Sequence, residues 1–428
     1  MDAPETVGPF AGPPRRRGAT LDLLKRNRDY RLLFSASVIS FAGDWFLFVA
    51  LAGLVNDLTH SPGLVAALYA ALTVPFALFT FVGGPLADRL NRQFLMVAAD
   101  LTRAALALGF LFIHSASQVW LVFVLVGAIS ALGAVFEPAA GAAIPNLVDR
   151  EDLITANVLS GAIWGTMLAV GSAIGGLVVA AFGRKAGYVG DAASFFVSAI
   201  LVLQIRRRFS ERREAHQEHP GLIRATRQTL AYARKDHRVL ALLSAKAGFG
   251  IGGGTVALLP VLALSVYHAG DRGTGVLLGF RGLGVLIGPF LARRLVRDDD
   301  LSRVFWIIGG AYLLFGLSYS AVPWMPWLVA AGAFVFLAHL GGGAQWTLST
   351  YALQVVTPDH IRGRVFAFDY GLVHFSLAIS ATVSGRIADS VDVRVVMLAL
   401  AAIQVVYSVL WTSATSRVRR ALRPAQAG

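Results

Sequence analysis

The sequence predicts an all-α membrane protein with twelve transmembrane helices in two pseudo-symmetric six-helix bundles. Three observations predict it. Mean hydropathy is +0.64, and 56% of the 428 residues are hydrophobic against 15% charged, which excludes a soluble domain of this length. Twelve apolar stretches approach or exceed the roughly 20 residues that a helix needs to cross the hydrocarbon core. Most Lys and Arg fall in alternate connecting segments. Spanning segments are helical because the bilayer interior has no water, so each must satisfy its own backbone groups.

Residues 1–24 form a cytoplasmic tail. Met1 to Thr20, with Pro4, Pro9, Pro13, Pro14 and Arg15–Arg17, is polar, is expected to be disordered and does not resemble a cleavable signal peptide. The N-terminal bundle, 25–205, holds spans Leu32–Val55, Pro62–Gly84, Phe94–Ile113, Val119–Ile144, Leu153–Phe182 and Ala186–Ile205. A polar linker, 206–238, follows. In it Leu222, Ile223, Leu230 and Tyr232 alternate with Arg224, Arg227, Arg234 and Lys235, which fits a basic amphipathic helix on the membrane face or a solvated linker. The C-terminal bundle, 239–415, holds Val239–Tyr267, Gly273–Ala292, Val304–Val322, Trp327–Leu353, Val365–Ala388 and Val395–Ser413; residues 416–428 are a second cytoplasmic tail.

With the N-terminus inside, 30 of the 38 Lys and Arg lie in cytoplasmic segments, and the outer loops keep only Arg184, Lys185, Arg272 and Arg394. The positive-inside rule therefore puts both ends in the cytoplasm. This distribution accounts for the net charge of +13 without a nucleic-acid partner.

The two halves echo each other. Gly84-Pro85-Leu86-Ala87-Asp88-Arg89 follows the second span, and Gly288-Pro289-Phe290-Leu291-Ala292-Arg293-Arg294 follows the eighth. Ile144-Pro145-Asn146-Leu147-Val148-Asp149-Arg150 occupies the same place as Val356-Thr357-Pro358-Asp359-His360-Ile361-Arg362-Gly363-Arg364. Such half-chain repeats mark transporters whose bundles rock about a central site.

On these residues the chain resembles the major facilitator superfamily over roughly 25–415. The superfamily's motif after the second span, approximately G-x-L-a-D-r-x-G-r-(r/k), is met by Gly84, Leu86, Ala87, Asp88, Arg89 and Arg92, with Asn91 at the second Gly and Gln93 at a usual basic position. Asn91 is expected to tolerate a left-handed turn. Gly83 and Gly84 are expected to let helices approach closely. The resemblance implies that Asp88 sits at a neighbouring helix N-terminus, where its charge is favoured, and that Arg89 and Arg92 pair with acids in adjacent loops. That latch favours the state closed to the cytoplasm, with the eleventh span as partner. Leu24–Phe34, Ser40–Asp44, Phe136-Glu137-Pro138-Ala139, Ala156-Asn157, Gly190–Phe195 and Arg362-Gly363-Arg364-Val365 resemble the bacterial branch of macrolide-efflux and enterobactin-exporter type proteins. Membership would imply export of a small molecule driven by the proton gradient, without a bound cofactor, by a monomer in the bacterial inner membrane. An importer or a lysolipid or metabolite facilitator of the same fold is the alternative, with a non-transporting receptor or scaffold behind it.

Ionisable groups within spans are costly, so each is a functional candidate. Asp44 lies about 18 Å into the first span by the 1.5 Å rise, with Ser37 and Ser40 on its face, and is the candidate proton carrier. Lys246 and Arg281 are expected either to neutralise Asp44 across the cavity or to bind an anionic group on the substrate. Glu137 is expected at a gate or helix end. Asp100 and Arg103 are read as an intrahelical pair supporting the Asp88 loop. Asp369 and His374 are weaker candidates, and Asp191, Arg386 and Asp389 are expected at an external gate. Arg362 and Arg364 are assigned to gating or packing. In the fifth span, Gly171-Ser172-Ala173-Ile174-Gly175-Gly176 partly matches the family's antiporter signature G-P-x-x-G-G, with Ser172 in place of Pro, and is expected to pack against the eighth span. The family's span-four arginine is absent, which leaves more of any proton coupling to Asp44. Trp45, Phe46, Phe48, Phe76, Phe79, Trp164, Phe249, Trp346 and Tyr351 are candidates to line a cavity.

Several chemistries are excluded. There is no cysteine, hence no thiolate site. None of the lysines follows Gly or precedes Ser or Thr, so there is no P-loop and no ATP-driven pumping by this chain alone. No HExxH-like metal pair occurs. Gly248-Phe249-Gly250-Ile251-Gly252-Gly253 fits G-x-G-x-x-G, but inside a span it means close helix contact or a kink. An enzyme is not expected.

Overall fold

In the computed structural model the described residues are 19–207, 222–296 and 300–422, and among them there is no strand. Twelve helical segments are long and apolar enough to cross a membrane. A short helix, Ala19–Arg26, leads into the first span, Arg28–Thr59, followed by Pro62–Arg89, Arg92–Gly109, Val119–Leu147, Leu153–Phe182 and Arg184–Leu203. Helix Leu222–Lys235 then packs buried Thr229 and Ala233 beneath the second six spans. These are a broken seventh span beginning at His237–Ile251, then Gly270–Leu295, Leu301–Ala321, Leu328–Val356, Asp359–Ala388 and Val393–Ala414. An even number of crossings returns the chain to the face it left. Ala19–Arg26 and Ser416–Ala421 share that terminal face; the opposite one is the far face.

Capping extends the helices beyond the apolar stretches. Asn27 Oδ1 accepts from Tyr30 N at 2.9 Å, and Ser61 Oγ accepts from Leu64 N at 3.1 Å with Pro62 in the first turn. The second helix runs through Gly84-Pro85-Leu86-Ala87-Asp88-Arg89, so the turn shrinks to Leu90 and Asn91. Asn91 is not left-handed: at φ −64° and ψ 115° its side chain caps the third span, accepting from Phe94 N at 3.1 Å. A capping side chain is what that position needs, and glycine has none. Gln93 donates to Val202 O at 2.9 Å and Ile205 O at 3.1 Å, closing the end of the sixth span with a neutral amide.

The Gly248–Gly253 run gives both close contact and a kink. Gly248 abuts the Tyr407 ring, a Cβ on Gly253 would stand 3.0 Å from Leu377 Cα, and the helix breaks at Gly252. In the fifth span the expectation of packing against the eighth holds at Gly176, where a Cβ would meet Gly275 Cα at 2.9 Å, and at Ser172 and Ala173, which lie against Gly275 and Gly279. Gly171 and Gly175 pack on the first span instead, where an added Cβ would stand 3.3 Å from Ala42 Cα and 2.9 Å from Phe46 Cα. The antiporter-like glycines therefore serve two neighbours.

Toward the terminal face each half has its own apolar cluster. Tyr30, Met96, Phe136 and Val202 belong to one; Val239, Phe305, Tyr312 and Val365 belong to the other. Toward the far face a single cluster joins both halves, with Leu51, Val65 and Phe110 beside Leu259, Leu277 and Val335. The halves thus meet on the far side and part toward the terminal side. Exposed Trp120, Trp324 and Trp327 ring the far ends of spans, and Trp306 marks the terminal side with the Arg419 guanidinium 4.2 Å from its ring. That is the placement of interfacial anchors.

Candidate functional site

Asp44 is near the middle of its 32-residue helix, with a side chain 31% exposed. Gly43 next to it lets the sixth span come close, because a Cβ there would stand 2.6 Å from Asp191 Oδ1. The partner of Asp44 is Arg103, whose Nη2 donates to both carboxylate oxygens at 2.9 and 3.0 Å. Arg103 Nη1 also donates to Ser40 Oγ at 3.3 Å and Asp100 Oδ1 at 3.4 Å, and the guanidinium lies 3.9 Å from the Phe195 ring centre. Asp191 is fully buried beside them, and neither of its carboxyl oxygens has a hydrogen-bond partner among the described residues. One guanidinium thus faces three carboxyl groups.

This arrangement corrects three expectations. Asp44 is neutralised by Arg103, not by Lys246 or Arg281. The Asp100–Arg103 pair forms, but it belongs to the mid-membrane cluster and does not brace the Asp88 loop. Asp191 sits in that cluster and not at an external gate. Counting supplies the missed signal: eleven residues from Arg92 at 1.5 Å each put Arg103 about 16 Å deep.

The second half carries a separate pair. Lys246 Nζ lies 3.7 Å from Asp369 Oδ2, donates to Thr350 Oγ1 at 3.0 Å and sits 3.7 Å from the Trp346 ring centre. Both ionic side chains are 1% exposed. His374 stacks on Phe76 across the two halves, 6.1 Å between ring centres.

Glu137 is ten residues from the end of its helix, so it is not a helix-end group. It is exposed, makes no hydrogen bond or ion pair among the described residues, and lies in the electrostatic reach of Arg103, Asp44 and Tyr370. Trp164 and Tyr370 are also exposed at mid-span: Trp164 lies 5.7 Å from the Arg281 guanidinium of the other half, and Tyr370 stacks on His374, which meets Phe76 of the other half. These side chains border the space between the halves. Of the aromatic candidates, Phe79 and Trp164 are exposed, whereas Trp45, Phe48 and Tyr351 are buried within the protein.

The far face is tied shut. Arg184 donates to Asp57 Oδ2 at 2.6 Å in its own half and to Asp271 Oδ2 at 3.0 Å in the other. Asp389 accepts from Ser61 Oγ at 2.7 Å and Gly63 N at 2.8 Å across the halves, with Arg386 3.6 Å away. On the terminal side, Arg92 donates to Ala142 O at 2.8 Å and Arg362 to Thr357 O at 3.2 Å, while Arg364 has further interactions. The side chains of Asp88 and Arg89, with Gly84 of the same motif, lie outside the described residues. No group of three or more metal-ligating side chains occurs among the described residues.

Comparison with known proteins agrees with this architecture. Residues 23–424 match the family described as transmembrane secretion effector. The chain is 23% identical over 386 residues to the uncharacterized MFS-type transporter YfiS of Bacillus subtilis (strain 168), covering 88% of this chain and 90% of that one. It is 27% identical over 369 residues to the enterobactin exporter EntS of Salmonella typhimurium, covering 81% and 82%. Among solved structures, an inward-facing, occupied bacterial homologue of the human lysosomal transporter Spinster superposes with TM-score 0.71 at 14% identity, over 96% of this chain and all of that one. The nucleoside transporter NupG gives 0.66 at 14% identity, over 90% and 99%. These are membrane transporters and not enzymes. With a family model matched along nearly its whole length, the chain belongs to the transmembrane secretion effector family of major facilitator superfamily transporters.

Proposed function

We propose that this transporter exports a small organic molecule from the cytoplasm in exchange for protons, by alternating access. The observation that carries the reading is the mid-membrane cluster of Arg103 with Asp44, Asp100 and Asp191. An excess of carboxyl groups over guanidinium makes it a place that can bind and release protons, and Asp44 is its member with access to the space between the halves. A proton drives transport only if it binds one conformation better than the other. Protonating Asp44 weakens its contact with Arg103 inside one half, so the difference between conformations is proposed to come from the access of the partly exposed Asp44 carboxyl to the space between the halves.

The terminal face is assigned to the cytoplasm by its excess of basic residues. With the far face tied shut and the terminal side parted, the form described is the one that loads from the cytoplasm. Export is supported by the similarity to an enterobactin exporter. The latch at Asp88 remains part of the reading on family resemblance.

The test is Asp44→Asn in everted membrane vesicles, with a panel of fluorescent dyes as substrates. The variant is expected at normal abundance with dye transport no longer responding to a pH gradient. Coupling that survives unchanged would move the proton elsewhere.

A further inference from the structure

Among the described residues Arg281 is a cation without a counterion. It lies near the middle of the eighth span and is 3% exposed. Its one hydrogen bond among the described residues runs from Nη2 to Tyr69 Oη at 3.1 Å, while Nε and Nη1 have no partner there. No carboxylate pairs with it among the described residues. Asp44 is taken by Arg103, and Asp369 by Lys246. A buried charge without compensation is expensive, and a charge kept inside a membrane on those terms points to function.

Its surroundings describe what would complete it. The guanidinium carbon is 5.7 Å from the ring centres of both Tyr69, on the second span, and Trp164, on the fifth. Trp164 is 41% exposed and its ring stands 6.3 Å from that of Trp45. His339 Nδ1 donates to Val335 O at 3.0 Å, which leaves Nε2 as an acceptor without a partner among the described residues. The unpartnered guanidinium N–H groups, flanked by aromatic faces, suit a planar anion. Guanidinium presents a fork of N–H donors that matches a carboxylate in two parallel bonds.

Building on the transport reading above, we infer that the transported molecule is an aromatic organic anion, its acidic group held by Arg281 and its ring against Trp164 and Tyr69. Because Arg281 belongs to the second half and both rings to the first, a ligand seated there touches both bundles. It can therefore bind one relative position of the halves better than another. Glu137, a free acid bordering the same space, makes an aromatic cation the competing ligand.

The probes are fluorescein as aromatic anion and ethidium as aromatic cation, titrated by fluorescence anisotropy with the purified full chain in detergent. The parent is expected to bind fluorescein and not ethidium. Arg281→Gln should weaken fluorescein about tenfold or more, the scale of a lost charge-assisted hydrogen bond, and Arg281→Lys should fall between. Without dye, Arg281→Gln should melt at the same or a higher temperature than the parent, since it removes an uncompensated charge. Unchanged fluorescein binding in Arg281→Gln, a preference for ethidium, binding of neither dye, or a lower melting temperature would each overturn the assignment. Binding in detergent needs no gradient. Arg281-dependent binding without any vesicle transport would strike the export reading alone, and parental fluorescein transport by Arg281→Gln would strike this inference alone.

Discussion

Arg103 is bonded to the carboxyl groups of Asp44 and Asp100 and faces that of Asp191, so its loss strands several charges at once. Removing one partner of a buried ion pair costs about 3–5 kcal/mol, because the other is left uncompensated. Arg103→Gln is predicted to lower the melting temperature in detergent markedly, and adding Asp44→Asn should restore part of the loss. An additive double variant would mean that the two side chains do not act together. Little of this cluster was legible in the sequence. Asp44 and Arg103 are 59 positions apart on different helices, and an i, i+3 acid near Arg103 offered a closer partner that turned out to be the longer contact. Outside the membrane, Asp236 caps the seventh span, and hydrogen bonds from Arg238 hold its carboxyl below the ordinary range. A lowered folded pKa means that its contribution is present above the ordinary value of 3.8 and is lost as pH falls through the folded one. Asp236→Ala should cost about 1 kcal/mol at neutral pH, the usual worth of a helix cap, and that difference should vanish in strong acid.

Among elements, glycine placement decides how closely spans approach. At Gly176 a side chain would collide with Gly275 Cα at 2.9 Å and Asp271 O at 3.1 Å, which is backbone that cannot move aside. Gly176→Val is predicted to push the fifth and eighth spans apart and to abolish transport. Gly161→Ala on the same helix meets nothing within 4 Å and should be neutral or stabilise by up to about 1 kcal/mol. Equal activity in the two variants, measured at matched abundance, would remove the interface from the mechanism. The spans themselves were plain in the sequence, because about 20 apolar residues have few other uses. Their ends were less plain. Capping residues such as Asn27 and Asn91 carry helices into polar sequence where hydropathy gives no sign. The glycine partners were hidden too, since Gly171, Gly175 and Gly176 differ only in which neighbour each faces.

At the scale of the whole molecule, the proposed alternating access requires the two halves to part on the far face during each cycle. Ser61 and Asp389 lie on opposite halves and touch in the form described. The chain has no cysteine, so Ser61→Cys with Asp389→Cys can be bridged by a short thiol cross-linker without background. Bridging is predicted to stop transport and its cleavage to restore it; transport at full rate while bridged would mean that this face does not open. The two-bundle architecture was legible from repeated Gly-Pro and basic turns, whereas the conformation was not, since both forms must be compatible with one sequence. The most direct measurement compares dye accumulation in everted and right-side-out vesicles, with and without a pH gradient. Proton-driven export predicts uptake into everted vesicles whose lumen is acidic, lost when the gradient is collapsed. Accumulation in right-side-out vesicles instead, or uptake indifferent to the gradient, would contradict it.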